Sequence, residues 1–197
     1  MKSRTLWMCV IVINMLIILS GILFFTSKKD FSASQREQSR RIGACYSNMS
    51  NSYFEILNNE ISSVIEEQGD LFFTRDSLMN QKTQNEQIHT LVEGGVDALI
   101  LAPVDWKGIR PALEEAKEAG VVVVIVDSPV YDEDLADCTI TSDNYDVGQQ
   151  MAKFLKGQMP MARIVLLEQC GSKSTQDRVD GFRQGLAGDE VYQIVAE

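Results

Sequence analysis

One stretch limits the fold more than any other: Val96 to Val130, VDALILAPVDWKGIRPALEEAKEAGVVVVIVDSPV. Two short apolar runs, Ala98–Ala102 and Val121–Val126, lack the alternation of a half-solvated strand, so each belongs to a strand covered on both faces. Between them Ile109, Ala112, Leu113 and Ala116 recur at the spacing of one buried helix face. Asp105 is placed to cap that helix, Pro111 suits its first turn, and Gly120 suits a left-handed exit. Strand, helix and parallel strand form a right-handed crossover, which brings Pro103–Asp105 and Asp127–Ser128 to the same edge of the sheet. In open α/β sheets that carboxyl edge is where ligands bind.

The alternation continues along the chain. Strands are expected at Ile42–Tyr46, Asp70–Thr74, Cys138–Thr141, Ile164–Leu167 and Val191–Ala196. Helices are expected between them, with buried faces at Phe54, Leu57, Ile61, Val64 and Ile65; at Ile88, Leu91 and Val92; at Val147, Met151 and Leu155; and at Val179, Phe182 and Leu186. Ser142 and Asp143 suit the cap of the third of these. The expected fold class is α/β, with doubly wound parallel-sheet lobes: a nearly complete first lobe over 41–141 and a partial second lobe over 142–197.

The N-terminus is different. After a short tail, residues 1–5, Leu6–Phe25 offers twenty residues without a charge, enough to span a bilayer as a helix. It is longer than a secretory apolar core of about 7–15 residues, and no A-x-A-like cleavage site follows. Leu19-Ser20-Gly21 is followed by Ile22, so the cysteine of a lipoprotein signal is missing. The segment reads as an uncleaved membrane anchor, with a cleaved signal as the alternative. Residues 26–40 form a polar, serine-rich tether.

Charge and motif content exclude several functions. The net charge is −10, with 28 acidic against 18 basic residues and no basic stripe, so no nucleic-acid partner is expected. Cys9, Cys45, Cys138 and Cys170 show no metal-binding spacing and read as small buried apolar residues. The single histidine, His89, lies beside an apolar helix stripe, which speaks against a His-dependent triad. Gly171–Thr175 departs from a phosphate-binding loop, and the acidic run Asp132–Asp137 lacks the pattern of a calcium loop. No catalytic residue, metal or cofactor is expected; the chain reads as a binding protein and not an enzyme.

Five segments in order, IGACYSNMSNSYFEIL, QNEQIHTLVEGGVDALILAPVD, AGVVVVIVDSP, TITSDNYDVGQQMAKFL and QDRVDGF, resemble the periplasmic sugar-binding proteins of the ribose- and galactose-binding type. The resemblance runs from Ile42 to the end. It implies two similar lobes that close on a sugar and deliver it to a membrane importer or a chemosensory receptor. It also implies ligand roles for Asn51, Tyr53 and Phe54, the counterpart of an N-x-F-F loop, with an aromatic ring stacking on the sugar. Asp127 stands at the family's Asp-Arg pair, with Ser128 in place of the arginine, and Arg178 matches an arginine of the second lobe. Trp106 lies on the same rim. Other readings stay open: Phe54 in the helix's buried face, Asp127 as a backbone cap, Arg178 paired with Asp177 or Asp180, and Trp106 covering a helix start. Ala102 and Ser128 depart from the ribose pattern, so the sugar is unidentified, and the shorter chain reads as a fragment.

The implied function is binding of a small carbohydrate outside the cytoplasm as the solute-binding component of an ABC sugar importer. The alternative is a membrane-tethered co-receptor that signals to a histidine kinase. The implied partners are the sugar and either an ABC permease or a sensor kinase, and the implied location is the cell membrane with the α/β domain extracytoplasmic. A sugar-responsive repressor is disfavoured, because Leu6–Phe25 stands where a DNA-binding helix-turn-helix belongs. The anchor has a direct test: the protein should stay in the membrane fraction with its N-terminus intact. A soluble form beginning near Ser32–Gln35 would make the segment a signal peptide.

Overall fold

Strands and helices alternate from Arg41 onward: β1 (Arg41–Tyr46), α1 (Ser52–Glu67), β2 (Leu71–Asp76), α2 (Gln81–Glu93), β3 (Ala98–Leu101), α3 (Arg110–Glu118), β4 (Val122–Val126), β5 (Cys138–Ile140), α4 (Asn144–Gln158), β6 (Ala162–Val165), α5 (Lys173–Leu186) and β7 (Tyr192–Ala196). The structure is a computed structural model that describes residues 15, 17, 18 and 39–197. Residues 1–39 and 40–197 are separate units. Met15, Ile17 and Ile18 are helical; the rest of the expected anchor Leu6–Phe25 lies outside the described residues. Among the described residues no helix is long and apolar enough to cross a membrane.

The first lobe is a five-stranded sheet in the order β2-β1-β3-β4-β5. All its pairings are parallel, with Ile42 opposite Ala98 and Ala98 opposite Val122. The continuous apolar runs fill both faces. On one face Leu99, Leu101, Val123 and Ile125 pack with Ile88 and Leu91 of α2 and Leu113 of α3. On the other, Ala44, Tyr46, Ala102 and Val126 pack with Phe54 of α1. Each fully buried large aliphatic side chain contributes about 1.5–3 kcal/mol. Tyr46 is an exception within its cluster: its hydroxyl is buried and has no hydrogen-bond partner among the described residues.

Several local expectations need correction. Asp105 does not cap α3; its Oδ1 accepts the backbone N–H groups of Lys107 and Gly108, each at 2.8 Å, and so caps an extra turn before the helix. Pro111 and Gly120 sit as expected, the latter at φ +75°. Val64 is exposed, because α1 crosses the sheet on Phe54 and Ile65 and tilts Val64 to solvent. Cys45 is buried as expected, but Cys138 and Cys170 are exposed. Strand β6 begins two residues earlier than expected and leaves Leu166 and Leu167 beyond its end.

The second lobe holds the parallel pair β6-β7, with α4 and α5 packed on each other. Asp143 caps α4 as expected, its Oδ1 accepting Asp146 N at 2.9 Å. The buried stripe of α4 is Asn144, Gly148 and Ala152; Val147 and Met151 are exposed. The cause is the close approach of α5. A Cβ on Gly148 would stand 2.0 Å from the Arg178 carbonyl oxygen, and one on Gly181 2.0 Å from that of Tyr145. Such contact needs small residues, so the bulky stripe turns outward. Phe182 and Leu186 are buried against Ala152 as expected.

Two outcomes follow from this packing. Gly181→Ala should destabilise by about 1–3 kcal/mol of overpacking, more than the gain in helix propensity of about 1 kcal/mol. A thermal midpoint unchanged or raised would show that α4 and α5 do not meet there. Tyr46→Phe should raise the urea midpoint, by about 1 kcal/mol of unfolding free energy, because it removes an unsatisfied buried hydroxyl. A lowered midpoint would show that the hydroxyl is bonded.

Candidate functional site

The carboxyl ends of β1, β3 and β4 carry the expected site residues. Asn51 is the N-cap of α1: its Oδ1 accepts Tyr53 N at 3.0 Å. The first turn then splits its two aromatics. Tyr53 is 49% exposed and Phe54 is 6% exposed. Phe54 packs on Tyr46 with ring centroids 5.6 Å apart and on Tyr53 at 5.2 Å, so it braces the exposed ring from within.

Asp127 leaves β4 in a left-handed conformation, φ 70°, which aspartate tolerates better than most residues. Its N–H donates to Ile140 O at 3.0 Å, and its carbonyl oxygen accepts the Thr141 hydroxyl at 2.9 Å. These bonds use the backbone. Among the described residues no hydrogen bond reaches the carboxylate, so the side chain is not the local cap that one reading proposed. Burial pushes the Asp127 carboxyl above its ordinary value, opposed by the Arg178 guanidinium. Burial, and then the Asp127 charge, push the Tyr53 phenol up.

Arg178 reaches this field from α5. Its Nε donates to Asn144 Oδ1 at 2.8 Å. The alternative pairing with Asp177 or Asp180 does not form among the described residues; Asp177 pairs one turn back with Lys173. The Asp127 carboxylate thus feels the charge of the Arg178 guanidinium, and the Tyr53 phenol feels that of Asp127. Together they offer acceptors, a planar donor and an aromatic face, a set suited to a neutral polyhydroxylated ligand.

Ser128 and Trp106 are placed differently. The Ser128 Oγ accepts Ser174 N at 3.2 Å and lies 3.4 Å from Ser172 Oγ. Trp106 N donates to Gly171 O at 3.0 Å, and Tyr131 N donates to Trp106 O at 2.9 Å. The Trp106 ring meets Tyr131 edge-on, with Lys107 Nζ 4.8 Å and Lys173 Nζ 5.6 Å from its centroid. Both residues therefore form the seam between the first lobe and the start of α5.

Three residues went unnoticed in the sequence. Gln84 is fully buried; its Nε2 donates to Ala102 O at 3.0 Å and its Oε1 accepts Val104 N at 2.8 Å. Its signal was a glutamine in the i, i+4, i+7 stripe with Ile88 and Leu91. Asp76 Oδ1 accepts Met49 N at 3.1 Å and Leu78 N at 3.0 Å, joining two edge loops. Tyr46 ends β1 under Phe54, its phenol pushed up to about 12 by burial and by Tyr53. Among the described residues no group of three or more His, Cys, Asp or Glu is placed to hold a metal ion. His89 is a surface residue, its Nδ1 2.5 Å from Glu115 Oε1.

Comparison with known proteins agrees with this architecture. Residues 42–197 match the periplasmic binding protein domain. The ribose import binding protein of Bacillus subtilis is 27% identical over 168 residues, covering 84% of this chain and 54% of that protein. The galactofuranose-binding protein of Escherichia coli is 30% identical over 142 residues, covering 70% and 45%. Among solved structures, an ABC transporter solute binding protein from Mycobacterium smegmatis with bound glycerol superposes with a TM-score of 0.73 at 28% identity, over 80% of this chain and 55% of that one. The chain thus spans about half the length of the curated relatives it matches. With its match running from β1 to the last residue, the chain belongs to the periplasmic binding protein domain family, in the company of sugar-binding proteins.

Proposed function

We propose that the chain binds a small carbohydrate at the carboxyl edge of its five-stranded sheet, outside the cytoplasm, as the solute-binding component of an ABC sugar importer. The observation that carries this reading is the half-buried Asp127 carboxylate, which no hydrogen bond reaches among the described residues and whose charge acts on Tyr53 and is opposed by that of Arg178. A carboxylate held in this way accepts two hydroxyl hydrogens, and each charge-assisted bond contributes about 1.5–3 kcal/mol. Tyr53 covers the apolar face of a sugar ring, with Phe54 behind it, and Arg178 donates to ring or hydroxyl oxygens. Asn51 holds the loop, while Ser128 and Trp106 hold the lobes together beside the ligand. The relatives named for ribose and galactofuranose support the substrate class. No reaction is assigned to the site; its relatives are named as binding proteins.

A second reading keeps the same site and changes the partner. As a membrane-tethered co-receptor, the chain would pass sugar occupancy to a histidine kinase. The uncharged segment Leu6–Phe25 favours it, since a receptor that stays beside a sensor has use for an anchor. Affinity capture that recovers a permease supports the importer; recovery of a kinase supports the co-receptor.

The site is tested with D-ribose, D-xylose and D-galactose, titrated into the full chain to about 100 mM and followed by amide chemical shifts. One of these sugars should move the Tyr53 and Asp127 signals, with a dissociation constant near or above the millimolar range. Asp127→Asn should abolish that response. Asparagine tolerates the left-handed backbone, and it removes a carboxylate that burial makes costly to ionise. The substitution should therefore hold or raise the thermal midpoint at pH 7. The sign follows from the raised pKa: the stability tied to the protonated group is lost as pH rises through the folded value. An unaltered sugar response in Asp127→Asn would remove Asp127 from the site.

A further inference from the structure

Asn144 opens α4 directly after the short link from β5, and it is 4% exposed. A buried amide needs partners for its donors and for its acceptor. The Asn144 Nδ2 donates to Ser142 O at 3.0 Å and to the Thr141 hydroxyl at 3.2 Å. Its Oδ1 accepts Arg178 Nε at 2.8 Å. The Ser142 carbonyl can only accept and the guanidinium can only donate, so both contacts demand the same orientation of the amide.

The bonds continue past Asn144. The single proton of the Thr141 hydroxyl goes to Asp127 O at 2.9 Å, nearer than Ser142 O at 3.4 Å. The same hydroxyl then accepts from Asn144. One directed chain thus runs from the Arg178 guanidinium through Asn144 and Thr141 to the backbone of Asp127, across the link between the lobes. Arg178 is exposed, so packing does not hold its head group. A long side chain loses its freedom on binding unless something already holds it. The Nε bond supplies that hold and uses one edge of the guanidinium. The N–H groups on Nη1 and Nη2 form no hydrogen bond among the described residues.

We propose that Asn144 is a positioning residue of the site: it holds the Arg178 guanidinium by Nε and leaves Nη1 and Nη2 to two oxygens of a sugar. The proposal deepens the sugar-binding reading and rests on it for the ligand. It also defines the contact, because the outer fork of a guanidinium suits a pair of neighbouring oxygens better than a single one. The packing of α4 on α5 serves the same end. Gly148, one turn after Asn144, lies against the Arg178 carbonyl oxygen, where a Cβ would stand 2.0 Å away. Asn144 and Arg178 are therefore carried by two helices whose separation is set by backbone contact.

The test uses the full chain in mild detergent and begins without sugar. The Arg178 Nε–H should exchange with water at least about tenfold more slowly in the wild type than in Asn144→Ala. Asn144→Ser, too short to reach Arg178, should lose the same protection and serves if the alanine variant fails to fold. Asn144→Asp keeps an acceptor at the same reach and should retain it. The Asp127 carboxyl titration, followed by NMR, should move upward in Asn144→Ala, toward its position in Arg178→Ala. Burial raises that group and the guanidinium opposes the rise, so a guanidinium set loose opposes it less. Tyr53, the other titratable group coupled to Asp127, stays neutral through that range. A residue that only closed the start of α4 would move the thermal midpoint and neither of these signals. The sugar that shifts the wild-type Tyr53 and Asp127 signals should bind Asn144→Ala at least about threefold more weakly. Fast Nε–H exchange in the wild type overturns the proposal, as does protection kept in both loss variants, an unmoved Asp127 titration or an unweakened sugar response. If protection and titration behave as expected while the wild type responds to no sugar, the sugar reading falls with the ligand named here, and the hold of Asn144 on Arg178 stands.

Discussion

The buried amide of Gln84 is the interaction on which the site depends. The chain leaves the sheet after Leu101, so the backbone groups around Pro103 need partners other than a neighbouring strand. Gln84 satisfies two of them, the carbonyl of Ala102 and the N–H of Val104. Gln81 adds a third by accepting Asp105 N at 2.7 Å. An amide side chain is suited to this because it donates and accepts at once. Leaving either group unpaired would cost about 1–3 kcal/mol. The loop so held carries Trp106, whose backbone joins Tyr131 on one side and Gly171 on the other. One side chain of α2 thus sets where the second lobe meets the first.

Carboxylates close backbone groups at both edges of the large sheet, Asp76 and Asp105 doing so at the carboxyl edge. At the amino edge, carboxylates close the backbone: Asp97 accepts Arg41 N at 2.6 Å, Asp70 accepts Arg40 N at 2.8 Å, and Asp137 accepts Val123 N at 2.8 Å. Only at the carboxyl edge, among the described residues, does a half-buried carboxylate, that of Asp127, lack such a bond, and the buried Tyr46 hydroxyl lacks one there as well. Leu78, Met79 and Asp127 also hold left-handed backbone there. Departures from local optimum gathered at one edge mark the place where the structure is shaped for something other than stability.

Much of the first lobe was legible from residues alone. Val121–Val126 is apolar without alternation, which marked it as a strand covered on both faces, and it is wholly or partly buried apart from Val122 at the start of β4, which is 49% exposed. The helix stripe Ile109, Ala112, Leu113 and Ala116 is buried as its spacing implied. The α4 stripe was not legible, because the eye follows large residues. Gly148 and Ala152 are the contact, and their smallness has meaning only beside Gly181 and Gly185 of another helix. Of the candidate site, the resemblance brought Asp127, Tyr53 and Arg178 to attention, but not the division of Tyr53 and Phe54 between surface and core. That division turns on where α1 crosses the sheet.

The sequence by itself determined the alternation of strand and helix and the parallel crossovers. Those properties follow from periodicity, turn residues and handedness, all of which act over a few neighbouring residues. Only the tertiary structure decided which apolar faces find cover, which polar side chains stay unpaired, and that Ser128 and Trp106 serve the seam between lobes. These depend on residues far apart in the chain, such as Ser128 with Ser174 and Trp106 with Gly171, whose meeting no local pattern encodes.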